Sequence, residues 1–150
     1  MTTTEIRPTT SDDIPGLTVV LEDTQLFPPD MLPDMLAAPE GGFWLTAARA
    51  GDPVALSFTR PEPLAEGVWN MLALGVRADL QRQGVGASLV AVTEARLRGD
   101  GVRLLIVETS GTQDFAQARG FYAGLGYHEE ARIRDYWAAG DDKVIFCKVL

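Results

Sequence analysis

The chain has 150 residues, 46% of them apolar and 23% charged, with a formal net charge of −8 at pH 7. These values point to one globular domain over residues 1–150, able to bury roughly two thirds of its unfolded surface, and they exclude a disordered segment or a disulfide-built miniature. The acidic excess argues against nucleic acid as partner, and no apolar run approaches the ~20 residues of a membrane span.

The amino end, MTTTEIRPTTSDD, carries no secretory or transit pattern, so a cytoplasmic, reducing location is expected. It reads as a short strand closed by Pro8, then Ser11 as helix cap with Asp12 and Asp13 in the first turn. Ile14, Leu17 and Leu21 continue at helical spacing. The stretch FPPDMLPDMLAAPEGG, with prolines at 28, 29, 33 and 39, holds only short helical turns. Phe43 to Ala48 and Val54 to Arg60 form a hairpin around Gly51-Asp52.

From VWNMLALGV onward the pattern changes. A strand ending near Val76 is followed by a helix with Val85, Leu89 and Val92 on one face, then by a nearly all-apolar strand, VRLLIVE. That is a βαβ unit, so the two strands run parallel. DFAQARGFYAGLGY is a helix stopped by Gly126, and YHEEARIRDYW and KVIFCKVL make a final hairpin around AAGDD. The single cysteine, Cys147, cannot close an internal bridge and reads as a buried thiol in an apolar run. The fold expected is α/β (α+β): a mixed, mostly antiparallel seven-stranded sheet with a central parallel pair, flanked by helices.

In GVRADLQRQGVGASLV, Gly84 and Gly86 stand where the strand gives way to the helix. The first N–H groups of a helix lack internal partners and lie at the positive end of its dipole. Glycines there remove the Cβ atoms that hold an anion off, so the stretch suits a phosphate or pyrophosphate, with Arg77 and Arg82 adding charge. Taken alone, the glycines serve equally to permit a turn and close helix packing. A Walker lysine is absent, and Leu89 stands where a dinucleotide fingerprint needs its third glycine.

With these residues in view, the chain resembles the GNAT superfamily of acyl-CoA-dependent N-acyltransferases. The motif Q/R-x-x-G-x-G/A after a strand is matched by Gln81, Arg82, Gln83, Gly84, Val85 and Gly86, and a helix ending F-Y-x-x-x-G-F by Phe121, Tyr122, Gly126 and Tyr127. Two departures stand out: Ala78 replaces a frequent proline, and Phe115 replaces an asparagine that contacts the pantetheine arm. The resemblance implies acetyl-CoA as co-substrate, with no metal. It implies that the backbone from Arg82 to Ala87 binds the pyrophosphate beside Gln81, and that the strand edge at Leu74 and Val76 pairs with the pantetheine arm.

The same resemblance makes the Leu74 N–H the group that stabilises the thioester oxygen, and Tyr122 the proton donor to the leaving thiolate. Tyr122 reads otherwise as an aromatic packed at the sheet edge. Glu108 is a candidate base or a solvated strand end; Asn70 sits where several relatives carry an acid and cannot accept a proton; His128 reads as solvated. Asp30, Asp34, Glu62, Glu66, Asp141 and Asp142 are acidic loop residues that either attract the amine or, more simply, are solvated. Tyr136 and Trp137 line the acceptor pocket, fill the core or form a dimer contact. The expected activity is acetylation of a primary amine, with a non-catalytic acyl-CoA sensor as rival, and a homodimer is among the assemblies such folds allow.

Overall fold

The computed structural model of the chain describes residues 3–150. β1 (Thr4–Pro8), β2 (Phe43–Arg49), β3 (Asp52–Pro61) and β4 (Val68–Val76) pair antiparallel in succession. β4 then pairs parallel with β5 (Leu104–Ser110), and β5 antiparallel with β7 (Asp141–Val149), which carries β6 (His128–Ala138) on its outer side. The order is β1-β2-β3-β4-β5-β7-β6, the mixed seven-stranded sheet expected from the sequence. Its parallel pair requires a crossover, supplied by α3 (Val85–Gly99).

Alternation along the strands divides the apolar residues between two faces. On one, α1 (Ile14–Thr24) and α2 (Leu32–Ala37) pack through Leu17, Leu21 and Leu32 on Trp44, Leu56, Phe58 and Ala73. On the other, α3 and α4 (Ala116–Gly124) bring Leu89, Leu97 and Tyr122 against Leu45, Ala55, Met71, Leu105 and Val107. The helices of the first face cover β2 to β4 only. The same face of β5, β7 and β6 stays open, and β6 is exposed along its whole length. This corrects the expectation for Cys147: Val144 and Phe146 turn to the covered face, so Cys147 turns to the open one and is half-buried. Burial raises its thiol pKa, and Glu130 adds to the shift.

The first helical turn also differs from its sequence reading. A 3-10 turn over Ser11–Asp13 precedes α1, so Thr10, in extended backbone, is the cap rather than Ser11. Asp13 reaches back to the Thr10 N–H at 2.8 Å and accepts both ends of the Arg7 guanidinium at 2.7 Å, with only 4% of its side chain exposed. The Arg7 hydrogen bonds, opposed by burial, hold its carboxyl below the usual range. This ties β1 to the start of α1.

Two irregularities interrupt the pairing of β4. Phe58 pairs with Ala73 and Thr59 with Met71, leaving Leu72 as the extra residue of a bulge. Pairing with β5 stops early: only Val68, Trp69 and Asn70 meet Leu104, Leu105 and Ile106. Beyond Asn70 the two parallel strands part.

Candidate active site

The parted strands leave a backbone edge. The Arg77 N–H donates to the Val54 carbonyl at 2.8 Å, on the β3 side. Because successive residues of a strand point their backbone groups to opposite sides, Gly75 also faces β3, while Leu74 and Val76 face the gap. The Val76 carbonyl accepts the Gln81 side-chain amide there at 3.1 Å.

At the end of that edge stands the tip of α3. Gly84 caps the helix at φ +82°, a left-handed conformation that side chains rarely adopt, and nothing lies within 4 Å of where its Cβ would sit. The first helical bond runs from the Ser88 N–H to the Gly84 carbonyl, so the N–H groups of Val85, Gly86 and Ala87 have no partner within the helix. Arg82 also has positive φ, +64°, and its guanidinium donates to Gln117 Oε1 at 3.1 Å. Arg77, expected to add charge here, is drawn off by Asp52 at 2.9 Å and Asp79 at 2.7 Å.

Edge and tip open into one cleft of about 710 Å³. Of the residues singled out from the sequence, Leu74, Val76, Gln81, Arg82, Gly84, Gly86, Ala87 and Tyr122 line it. Val85 turns its side chain into the core, leaving only its backbone at the tip. The Gln83 side chain is occupied elsewhere, with Arg49 and the Asp79 carbonyl. The sequence reading missed Asp114 and Gln117 in the lining. The signal was present for Gln117, since it stands four residues before Phe121 on one face of α4.

Tyr122 is 7% exposed, ringed by Phe121, Tyr127 and Phe146 at centroid distances of 5.2, 5.9 and 5.9 Å. Tyr127 commits its hydroxyl to Glu94 at 2.7 Å; no such bond holds the Tyr122 hydroxyl among the described residues. Burial raises the Tyr122 pKa far above its ordinary value, so the phenol keeps its proton.

Glu108 stands apart. The β5–β7 register sets it opposite Ile145 on the open face, where Lys143 Nζ lies 3.1 Å from its carboxylate. Burial works against the Lys143 ammonium, but Glu108 and Tyr136 together outweigh it, so the Lys143 pKa is raised. Tyr136 lies 4.3 Å and Trp137 5.7 Å from the same ammonium, and the Trp137 indole donates to the Thr109 carbonyl at 3.2 Å. Tyr136 and Trp137 are 50% and 47% exposed, which excludes the core reading for both. His128 is exposed. Glu62, expected to be solvated, is half-buried and accepts the Asn70 amide at 2.9 Å.

The sheet splits beside a bare helix tip, and a protonated tyrosine lies in the same cleft. The chain belongs to the acetyltransferase (GNAT) family, whose model matches residues 13–127. It is an acyltransferase, and its fold serves acetyl transfer from acetyl-CoA.

Among solved structures, a protein from Desulfovibrio desulfuricans assigned to the GNAT acetyltransferases is 27% identical, with TM-score 0.89 over 98% of this chain and 99% of that one. The ribosomal-protein-S18-alanine N-acetyltransferase from Escherichia coli is 21% identical, with TM-score 0.80 over 98% and 94%. An aminoglycoside 6'-N-acetyltransferase complexed with coenzyme A is 14% identical, with TM-score 0.80 over 97% and 96%. No curated protein matches this chain. Among the described residues, no helix is long and apolar enough to cross a membrane.

Proposed function

We propose that this protein transfers the acetyl group of acetyl-CoA to a primary amine, and that the cleft between β4, α3 and α4 is where it does so. The observation that carries the reading is the coincidence of backbone groups at Leu74 and Val76 without a strand partner on the β5 side, free amides at the α3 tip, and Tyr122 in one cavity.

The residues present fit the donor. Amides from Arg82 to Ala87 take the diphosphate, helped by the Arg82 charge, because Gly84 offers no Cβ to hold it away. Leu74 and Val76 pair with the pantetheine amides as a neighbouring strand would. Gln81, whose amide already sits on the Val76 carbonyl, marks one of the positions such an amide takes and swings aside for it.

Bound there, acetyl-CoA supplies a thioester carbonyl open to attack and a sulfur leaving group. The Leu74 N–H faces the gap and donates to the carbonyl oxygen as it gains charge. Tyr122, kept protonated by burial, gives its proton to the departing sulfur.

Free-thiol release from acetyl-CoA across a panel of primary amines, run beside a coenzyme A melting shift, tests the proposal. Turnover with at least one amine is expected. A melting shift with no turnover for any amine would make the protein a sensor of the donor and overturn the reading.

A further inference from the structure

The transfer proposed above needs a place for the proton of the attacking nitrogen, and the structure narrows the search. Glu108 is held by Lys143 at 3.1 Å, and Glu94 by Lys148 at 3.0 Å and by the Tyr127 hydroxyl at 2.7 Å. Asp141 accepts the Ser110 hydroxyl, and Asp114, which lines the cleft, stands exposed in the turn ahead of α4, away from the end of the β4–β5 pairing. A carboxylate neutralised by a cation is a poor proton acceptor, because taking the proton discards the ion pair.

Glu62 is placed otherwise. It opens the loop between β3 and β4, and the loop is closed by its own N–H donating to the Val68 carbonyl at 2.9 Å, which fixes it at the start of β4. Its Oε1 accepts the Asn70 amide at 2.9 Å, and among the described residues no cation pairs with it. The charged groups on adjoining elements are engaged elsewhere: Arg60 pairs with Glu40, and Arg103 donates to the Glu66 carbonyl at 2.6 Å.

Asn70 supplies the link to the gap. Asn70 opposite Ile106 is the last pair of the parallel strands, so the gap opens at its next residue. Met71 belongs to the core under α3, and strand alternation turns Asn70 to the other face, the one left open beyond β4. An arm anchored at the α3 tip and running along Val76 and Leu74 points its acyl end back toward Asn70. Asn70 is 3% exposed, and its Oδ1 is buried without a donor. Buried acceptors are ordinarily satisfied, so this one awaits an N–H or a water.

Resting on the amine-acetylation reading, we propose that Glu62 is the proton acceptor of the transfer and that Asn70 is its positioning residue, holding Glu62 with one amide atom and receiving the nucleophile's N–H, directly or through one water, with the other. The acceptor nitrogen forms a bond to the acetyl carbon, and the carbon–sulfur bond breaks with its electron pair going to sulfur. The proton on nitrogen passes to the Glu62 carboxylate, while the Tyr122 hydroxyl proton passes to sulfur. Proton return from Glu62 to Tyr122 through solvent restores both groups.

The test uses the full chain and the best acceptor from lysine, spermidine, an alanine-ended peptide and an aminoglycoside. Glu62→Gln is expected to lower kcat by at least about 100-fold and to remove the acid limb of kcat/KM, while the calorimetric Kd for coenzyme A and the melting temperature stay put. Asn70→Asp with Glu62→Gln exchanges the acid and the amide across the same contact, and is expected to recover at least about tenfold of the lost turnover. Glu62→Gln within about threefold of the parent with its acid limb intact, or an exchange variant no better than Glu62→Gln, overturns the proposal. So does a parallel loss of coenzyme A binding, which would mark a structural role. A parent protein that binds no coenzyme A or acetylates none of the amines refutes the proposed function instead.

Discussion

Replacing Gly84 with Asp places a fixed carboxylate where the proposed function puts a diphosphate. Gly84 sits at φ +82°, and a new Cβ there meets nothing within 4 Å, so the substitution costs backbone strain and no collision. That strain is about 1–2 kcal/mol for an L-residue, with Asp and Asn at the low end because they visit the left-handed region most readily. The effect on binding is larger. A carboxylate about 5 Å from two negative charges is repelled by about 1.7 kcal/mol even at the dielectric of water, and by about 6.6 kcal/mol at an effective dielectric of 20. At 1.4 kcal/mol per decade, the smaller figure alone weakens coenzyme A binding by about 15-fold. Gly84→Asn is the control, matching Asp in size and strain without the charge. Titration calorimetry with coenzyme A, beside urea denaturation of all three proteins, gives the answer. A folded Gly84→Asp protein whose Kd stays within about threefold of the Asn control would refute the placement of the diphosphate at the α3 tip.

Tyr122→Phe is expected to lower kcat by about 100-fold or more while leaving the KM for acetyl-CoA nearly unchanged, because the lost proton donor acts on the departing sulfur. Since burial raises the Tyr122 pKa, its proton is retained through neutral and mildly alkaline pH, so no loss of kcat from Tyr122 ionisation is expected up to about pH 10; a pH profile checks this. Asp13→Asn breaks a partly buried, charge-assisted pair and is expected to cost about 1.5–3 kcal/mol in urea denaturation, a sizeable share of a typical domain's 5–15. The depressed Asp13 pKa means the unfolded chain binds more protons at low pH, so its stabilisation is complete above about pH 4 and fades as pH falls further. The Asn variant should therefore lose less stability than the parent between pH 4 and 2.

What was readable in the chain was what neighbouring residues encode. Gly84 and Gly86 after an apolar strand mark a helix start through local backbone chemistry alone, and the structure places the cap at Gly84, in the lining of the cleft. The Gly51-Asp52 hairpin and the Gly126 stop depend on turn residues in the same way. Pairings across distant strands were not legible. Glu108 with Lys143 depends on the register of β5 on β7, and Glu62 with Asn70, although only eight residues apart, on the register of β3 on β4; one step of slip would turn each side chain to the other face. Cys147 misled for a related reason: KVIFCKVL is apolar between and after its two lysines, yet only alternate residues are covered, because α1 and α2 end their cover at β4. The placement of Thr10 as cap, one residue ahead of Ser11, stems from the 3-10 turn and the reach of Asp13 to Arg7, a contact with a strand that a local pattern does not contain.

One carrier gripped at both ends of the gap, by amides at the tip of α3 and by the unpaired edge of β4, is the central claim. A crystal structure grown with coenzyme A measures it directly. Phosphate oxygens are expected within hydrogen-bonding distance of the Val85, Gly86 and Ala87 amides, and the pantetheine chain against Leu74 and Val76 with Gln81 displaced. Coenzyme A bound away from the α3 tip, or β4 and β5 closed together beyond Asn70 with the ligand outside them, would contradict it.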